Sequence, residues 1–254
     1  MVRIRIISIM STKGGVGKTT IASNLALALQ NFGKKTALVD FNFTTPHISL
    51  YFNIFPTKTL NNFLRNECQF SEILHNYNGL TIIPSSLLIK DVVPIEQDIK
   101  RILEENLKEY EFVILDSAPG LGREAMISLN SSHEVIFVST PDLISLVDVT
   151  KTYKFLQDLA NRPIVWGIVL NKVRGKDYEL NKEEIERYSG MVVLGSIKEN
   201  EVFIKSINER KPAYYLDNNV REEFNFLAAK IAGVPYEGKK KFKILDFIMK
   251  ILKR

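Results

Sequence analysis

The chain alternates short, near-continuous apolar runs with longer stretches whose apolar positions recur at helical spacing. The apolar runs predict strands at 4–10, 36–40, 81–84, 112–116, 135–139, 164–171 and 192–195. They are rich in Ile, Val, Leu and Phe with little polar alternation, as expected of strands covered on both faces. Between them the spacing predicts helices at about 18–32, 95–109, 124–131, 143–160 and 220–232. This alternation predicts an α/β fold, a doubly wound, mostly parallel β-sheet flanked by helices. No internal repeat or low-complexity tract interrupts it.

One composition break stands out, at Gly233-Val234-Pro235-Tyr236-Glu237-Gly238. Two glycines and a proline end the preceding helix and make a short linker. The predicted organisation is a body over 1–232, a linker over 233–238 and an amphipathic helix over 239–254. Wound at about 100° per residue, Ile244, Leu245, Phe247, Ile248, Met249, Ile251 and Leu252 share one broad face. Lys243, Asp246, Lys250, Lys253 and Arg254 occupy the opposite face, and Lys239, Lys240 and Lys241 precede it. Interrupted by charges, this stretch falls short of the roughly 20 apolar residues a bilayer span needs. A basic amphipathic helix instead suits the plane of an anionic membrane surface.

Charge sharpens that contrast. The 254 residues carry a net +5. Positions 239–254 hold seven basic residues and one acid, a net +6, so the rest, 27 basic against 28 acidic, is at −1. The basic character therefore belongs to the tail, which argues against a body that binds a polyanion over its whole surface. The length supports one sizeable core, burying roughly 70–75% of the unfolded surface. Cys68 is the single cysteine, which excludes an internal disulfide or a Cys-x-x-Cys site and fits a reducing cytosol. The apolar start is too short for a secretory signal and reads as a buried first strand. His47, His75 and His133 are scattered singly and suggest neither a metal site nor a general base, but ordinary surface or loop positions.

The strongest chemical signal is Ser11-Thr12-Lys13-Gly14-Gly15-Val16-Gly17-Lys18-Thr19-Thr20, which follows a predicted strand and opens a predicted helix. Glycines let successive backbone N–H groups curl toward phosphate oxygens, and the helix start adds its positive end. Lys18 is expected to reach the β- and γ-phosphates of a nucleotide, and the Thr19 hydroxyl to hold Mg²⁺. Position 12, where the general motif has glycine, is Thr12, and a second lysine, Lys13, precedes the paired glycines. Asp40 ends the second strand, in the crevice where such sheets bind ligands. Phe112-Val113-Ile114-Leu115-Asp116 puts an acid at the end of an apolar run, as in a Walker B strand, and Asn171 ends another strand.

The form Lys-Gly-Gly-x-Gly-Lys-Thr-Thr resembles the MinD/ParA family of P-loop ATPases, and the resemblance spans roughly residues 3–232. It implies ATP and Mg²⁺ as cofactors, with Lys13, Gly14, Gly15, Val16, Gly17, Lys18, Thr19 and Thr20 forming the phosphate cradle. It implies a homodimer closed around two ATP molecules, with Lys13 reaching the partner's nucleotide. Catalytic roles fall by resemblance on Lys13, Lys18 and Asp40, and metal roles on Thr19, Asp40 and Asp116. Asp40 would hold the attacking water or the Mg²⁺ shell. The family usually has a second aspartate two positions on, where this chain has Asn42, which implies either slow hydrolysis stimulated by a protein regulator or water positioning by other groups. Residues 117–125 resemble the switch segment, with Pro119 and Gly120 beside the γ-phosphate, and Asn171 resembles the adenine reader. The segment 194–200 resembles the one that closes over the base, with Lys198 where members usually have proline. The tail resembles the membrane-targeting sequence of MinD proteins, which implies a cytoplasmic protein held peripherally on the inner face of the cell membrane and a role in positioning division machinery or other cargo. The alternatives are a ParA-like partition ATPase binding DNA nonspecifically, a cluster-carrying or metalloid-transporting relative, for which Cys68 supplies too few ligands, and an assembly protein with a vestigial ATPase.

Overall fold

The computed structural model describes residues 4–88, 97–159 and 162–238. The predicted amphipathic helix at 239–254 lies outside the described residues, as do 95–96 and 160 of two predicted helices. Eight strands form one sheet in the order β3-β4-β2-β5-β1-β6-β7-β8. They are β1 Arg5–Met10, β2 Thr36–Phe41, β3 His75–Tyr77, β4 Leu80–Ile83, β5 Phe112–Ser117, β6 Glu134–Ser139, β7 Ile164–Val173 and β8 Val193–Lys198. All pairings are parallel except the short edge hairpin of β3 with β4.

The inner strands are apolar on both sides because helices cover both faces. In β1, Ile7 and Ile9 pack against α1 (Lys18–Asn31) and α10 (Asn218–Ala232). Ile6 and Met10 face the other layer. That layer contains α3 (Leu60–Leu64), α4 (Ile99–Asn106), α5 (Arg123–Asn130), α6 (Leu143–Gln157) and α7 (Lys182–Ser189). The short helices α2 (Ile48–Tyr51), α8 (Val202–Asn208) and α9 (Ala213–Leu216) gather near α1 and α10. Apolar alternation along each strand thus runs between two dry faces, which is why the strands read as continuous apolar runs.

Two features fix the ends of the layers. At the N-terminal edge of the sheet, Arg5 makes a two-pronged ion pair with Glu134 and donates to the Ile231 carbonyl at the end of α10. His133 accepts the Ile6 N–H at Nδ1, so Nε2 carries the proton and donates to Glu104 (2.9 Å). A histidine expected to be an ordinary loop residue is therefore a structural link. After α10, Gly233 takes the left-handed conformation that closes the helix. The linker then folds back along α10: Tyr236 stacks edge-on against Phe32 and Phe226 and donates to Glu222.

Candidate nucleotide site

The glycine loop connects β1 to α1 at the carboxyl edge of the sheet. Gly17 stands before α1 with φ 91°, a conformation that favours glycine. A β-carbon there would also lie 2.1 Å from the Asn171 amide nitrogen, so any other residue at position 17 would be strained and would push Asn171 out of place. The loop is strapped from behind by the end of β7. Asn171 donates to the Val16 carbonyl (2.7 Å) and Lys172 to the Gly15 carbonyl (2.7 Å). With those carbonyls engaged, the loop's N–H groups remain for an anion.

Lys13, Gly14, Gly15, Gly17, Lys18, Thr19, Thr20 and Pro119 line one pocket of about 430 Å³, with Val16 buried. Gly120 donates to the Ser11 carbonyl (2.8 Å), tying the switch segment to the loop. The Lys18 ammonium lies 3.0 Å from Asp116, both side chains almost fully buried. A buried cation paired with this carboxylate satisfies a charge that would be costly alone. Thr19 and Asp116 offer hydroxyl and carboxylate oxygens, the hard donors that suit Mg²⁺.

Asp40 sits directly opposite Asp116 across the β2–β5 ladder and has no exposed surface. Its oxygens accept the N–H groups of Asn42, His47 and Ile48. Burial, and then the neighbouring Asp116 charge, push its carboxyl up to about 7, although the N–H bonds from Ile48 and Asn42 and the charge of Lys18 pull the other way. Asn42 lines the pocket, and its Oδ1 accepts from the Thr45 N–H and hydroxyl. Lys13 is exposed at the mouth. Nearby Asp142 is pushed up by burial, but bonds from Thr140 and Ser145 and the charge of Lys13 outweigh this and hold it below its ordinary value.

The structure also brings to the pocket residues that the motif does not flag: Thr45, His47, Lys172, Phe203, Ile204 and Ile207. Lys172 had a readable signal, since it follows Asn171 at the end of a strand that must reach the same edge. Phe203, Ile204 and Ile207 arrive on α8, a helix too short to announce itself.

The AAA domain family model matches residues 4–165. An uncharacterised ATP-binding protein of Methanocaldococcus jannaschii is 31% identical over 97% of this chain and 96% of its own length. The cell division ATPase MinD of Pyrococcus furiosus superposes with a TM-score of 0.84 at 27% identity, over 92% of this chain and 99% of that one. The septum site-determining protein MinD of Pyrococcus horikoshii, solved with Mg-ADP, superposes with a TM-score of 0.83 at 26% identity, over 90% and 96%. With the strapped glycine loop and the buried Lys18–Asp116 pair at its centre, the chain belongs to the MinD/ParA family of P-loop ATPases and is MinD-like within it.

Proposed function

We propose that this protein is an ATP-switched homodimer that binds membranes reversibly through residues 239–254. Lys18 contacts the β- and γ-phosphates, with the N–H groups of residues 14–20 around them. Thr19 and Asp116 hold Mg²⁺, which neutralises charge on the phosphates. Asp40, expected to hold the attacking water or the Mg²⁺ shell, instead sets the loop that carries Asn42 and His47, because it is fully buried with its oxygens bonded to three backbone N–H groups. Pro119 and Gly120 flank the γ-phosphate, Asn171 borders the adenine, and Lys13 reaches the partner's nucleotide. The domain division is the body over 1–232, the linker over 233–238 and the tail.

The observation that carries the membrane step is the segregation of apolar and basic positions over 239–254, joined to a body whose net charge is near zero. Each base near an anionic surface contributes about 1 kcal/mol, and apolar side chains add to it. One such segment binds weakly. Two held together in a dimer bind far more tightly, because the second engages at high effective concentration. ATP therefore promotes residence on the inner face of the cell membrane, and slow hydrolysis, stimulated by a protein regulator, ends it. Placement of division machinery or other cargo is the role that such a cycle serves.

Sedimentation with anionic liposomes tests this. The intact chain should pellet much more with ATP·Mg²⁺ than with ADP, and a chain ending at Gly238 should stay in the supernatant in both. If the two chains behave alike, the tail is not the anchor, and DNA or a protein partner takes its place.

A further inference from the structure

The pocket contains no carboxylate among its described lining residues. Asp40 and Asp116 lie beneath it, Asp40 bonded to three backbone N–H groups and Asp116 to Lys18. Asn42 turns its one carbonyl oxygen to Thr45, so only its N–H groups remain for a ligand. A water that attacks a phosphate needs a partner to accept one of its O–H groups. Among the described lining residues, His47 has the single nitrogen acceptor. The Ser11 and Thr45 hydroxyls donate to other groups and keep lone pairs of their own, but a hydroxyl oxygen is a weaker acceptor than an imidazole nitrogen. The His47 side chain is exposed at the pocket, while its backbone is fixed from below by Asp40 (3.1 Å).

We propose that His47 orients the attacking water, filling the place that a carboxylate at position 42 would hold. This rests on the ATP-hydrolysing reading of the pocket. The water donates one O–H to the free imidazole nitrogen, and its oxygen bonds to the γ-phosphorus. The bond from that phosphorus to the β,γ-bridging oxygen breaks, and its electron pair leaves with ADP. The water's proton passes to a γ-phosphate oxygen, so the products are ADP and dihydrogen phosphate. Imidazole acts here by geometry, as a hydrogen-bond acceptor, and ends unchanged.

The test uses the full chain with His47→Ala, His47→Gln, Asn42→Asp and the His47→Ala/Asn42→Asp double variant. Single-turnover ATP hydrolysis is measured beside affinity for Mg·ADP with aluminium fluoride and for a non-hydrolysable ATP analogue. His47→Ala should lose about 10²-fold in turnover and a comparable factor in aluminium fluoride affinity, while analogue affinity holds. His47→Gln should keep most of the rate, because its amide oxygen can accept. Asn42→Asp should restore the His47→Ala variant. Unchanged turnover in His47→Ala overturns the proposal, as does an equal loss of analogue affinity or a failure of Asn42→Asp to rescue. If neither the intact chain nor Asn42→Asp turns over ATP, the ATPase reading falls and this role with it, an outcome distinct from a loss confined to His47→Ala.

Discussion

Asp40 shows how much one buried carboxylate does in this site. It closes the loop after β2 by accepting three N–H groups, and it faces Asp116 across the ladder. Its ordinary value is 3.8, and in the folded chain it rises to about 7, first through burial and then through Asp116. A raised carboxyl binds its proton more tightly in the folded state than in the unfolded one. Its contribution to stability is therefore fully present below about pH 4 and is lost as the pH rises through about 7. Without nucleotide or Mg²⁺, the melting temperature should fall between pH 5 and pH 8. Asp40→Asn, which keeps the shape and one acceptor but cannot ionise, should flatten that fall. A wild-type slope that survives in Asp40→Asn would assign the pH dependence to other groups.

At the scale of elements, α1 does more than present the loop. Asn24, fully buried in α1, donates to the Tyr51 hydroxyl of α2 and accepts the Tyr214 N–H of α9 (both 2.8 Å). Tyr51 in turn accepts the Ala213 N–H. One amide thus fastens two four-residue helices that could not stand alone. Asn24→Ala leaves the Tyr214 N–H buried without its partner, which should destabilise the fold by about 1–3 kcal/mol, read as a lower urea midpoint with an unchanged slope. This network also explains what the sequence could not reveal. The long strands and α1, α5, α6 and α10 were legible because each carries its own apolar pattern over several turns or a full strand. Helices α2 and α9 are held by Asp40, Asn24 and Tyr51 through contacts up to 190 residues apart in the chain, and α8 is only seven residues long. The helix α7 carries an Asn181–Glu184 capping box, a signal present in the sequence that the apolar pattern alone does not reveal. Strand β3, three residues at the edge and only partly covered, lacks the apolar run of its neighbours. In the same way the glycine loop was legible from local spacing, whereas its straps from Asn171 and Lys172 cross more than 150 residues.

The whole molecule presents an unusual surface around its nucleotide pocket. Ile204 and Ile207 line the mouth with more than half of their surface exposed. Leu121 stands in the switch segment, and Leu143 and Ile144 open α6 beside Asp142, which feels the charge of Lys13. Large exposed apolar side chains are costly to hydrate, and Ile204 and Ile207 hold theirs at the rim of a polar site. A second copy, brought face to face by ATP, would cover them and carry each Lys13 toward its partner's phosphates. Ile204→Asp combined with Ile207→Asp places two carboxylates on each copy at that seam, where like charges oppose one another. Because both positions are exposed in the single chain, the melting temperature of the nucleotide-free protein should change little. Sedimentation velocity with a non-hydrolysable ATP analogue and Mg²⁺ should show a dimer for the natural chain and a monomer for the double variant. On the proposed membrane cycle, liposome binding should weaken in parallel, because that cycle needs two tails coupled in one dimer. A double variant that still dimerises with the analogue would place the contact on another face and remove the argument that links Lys13 to a shared nucleotide.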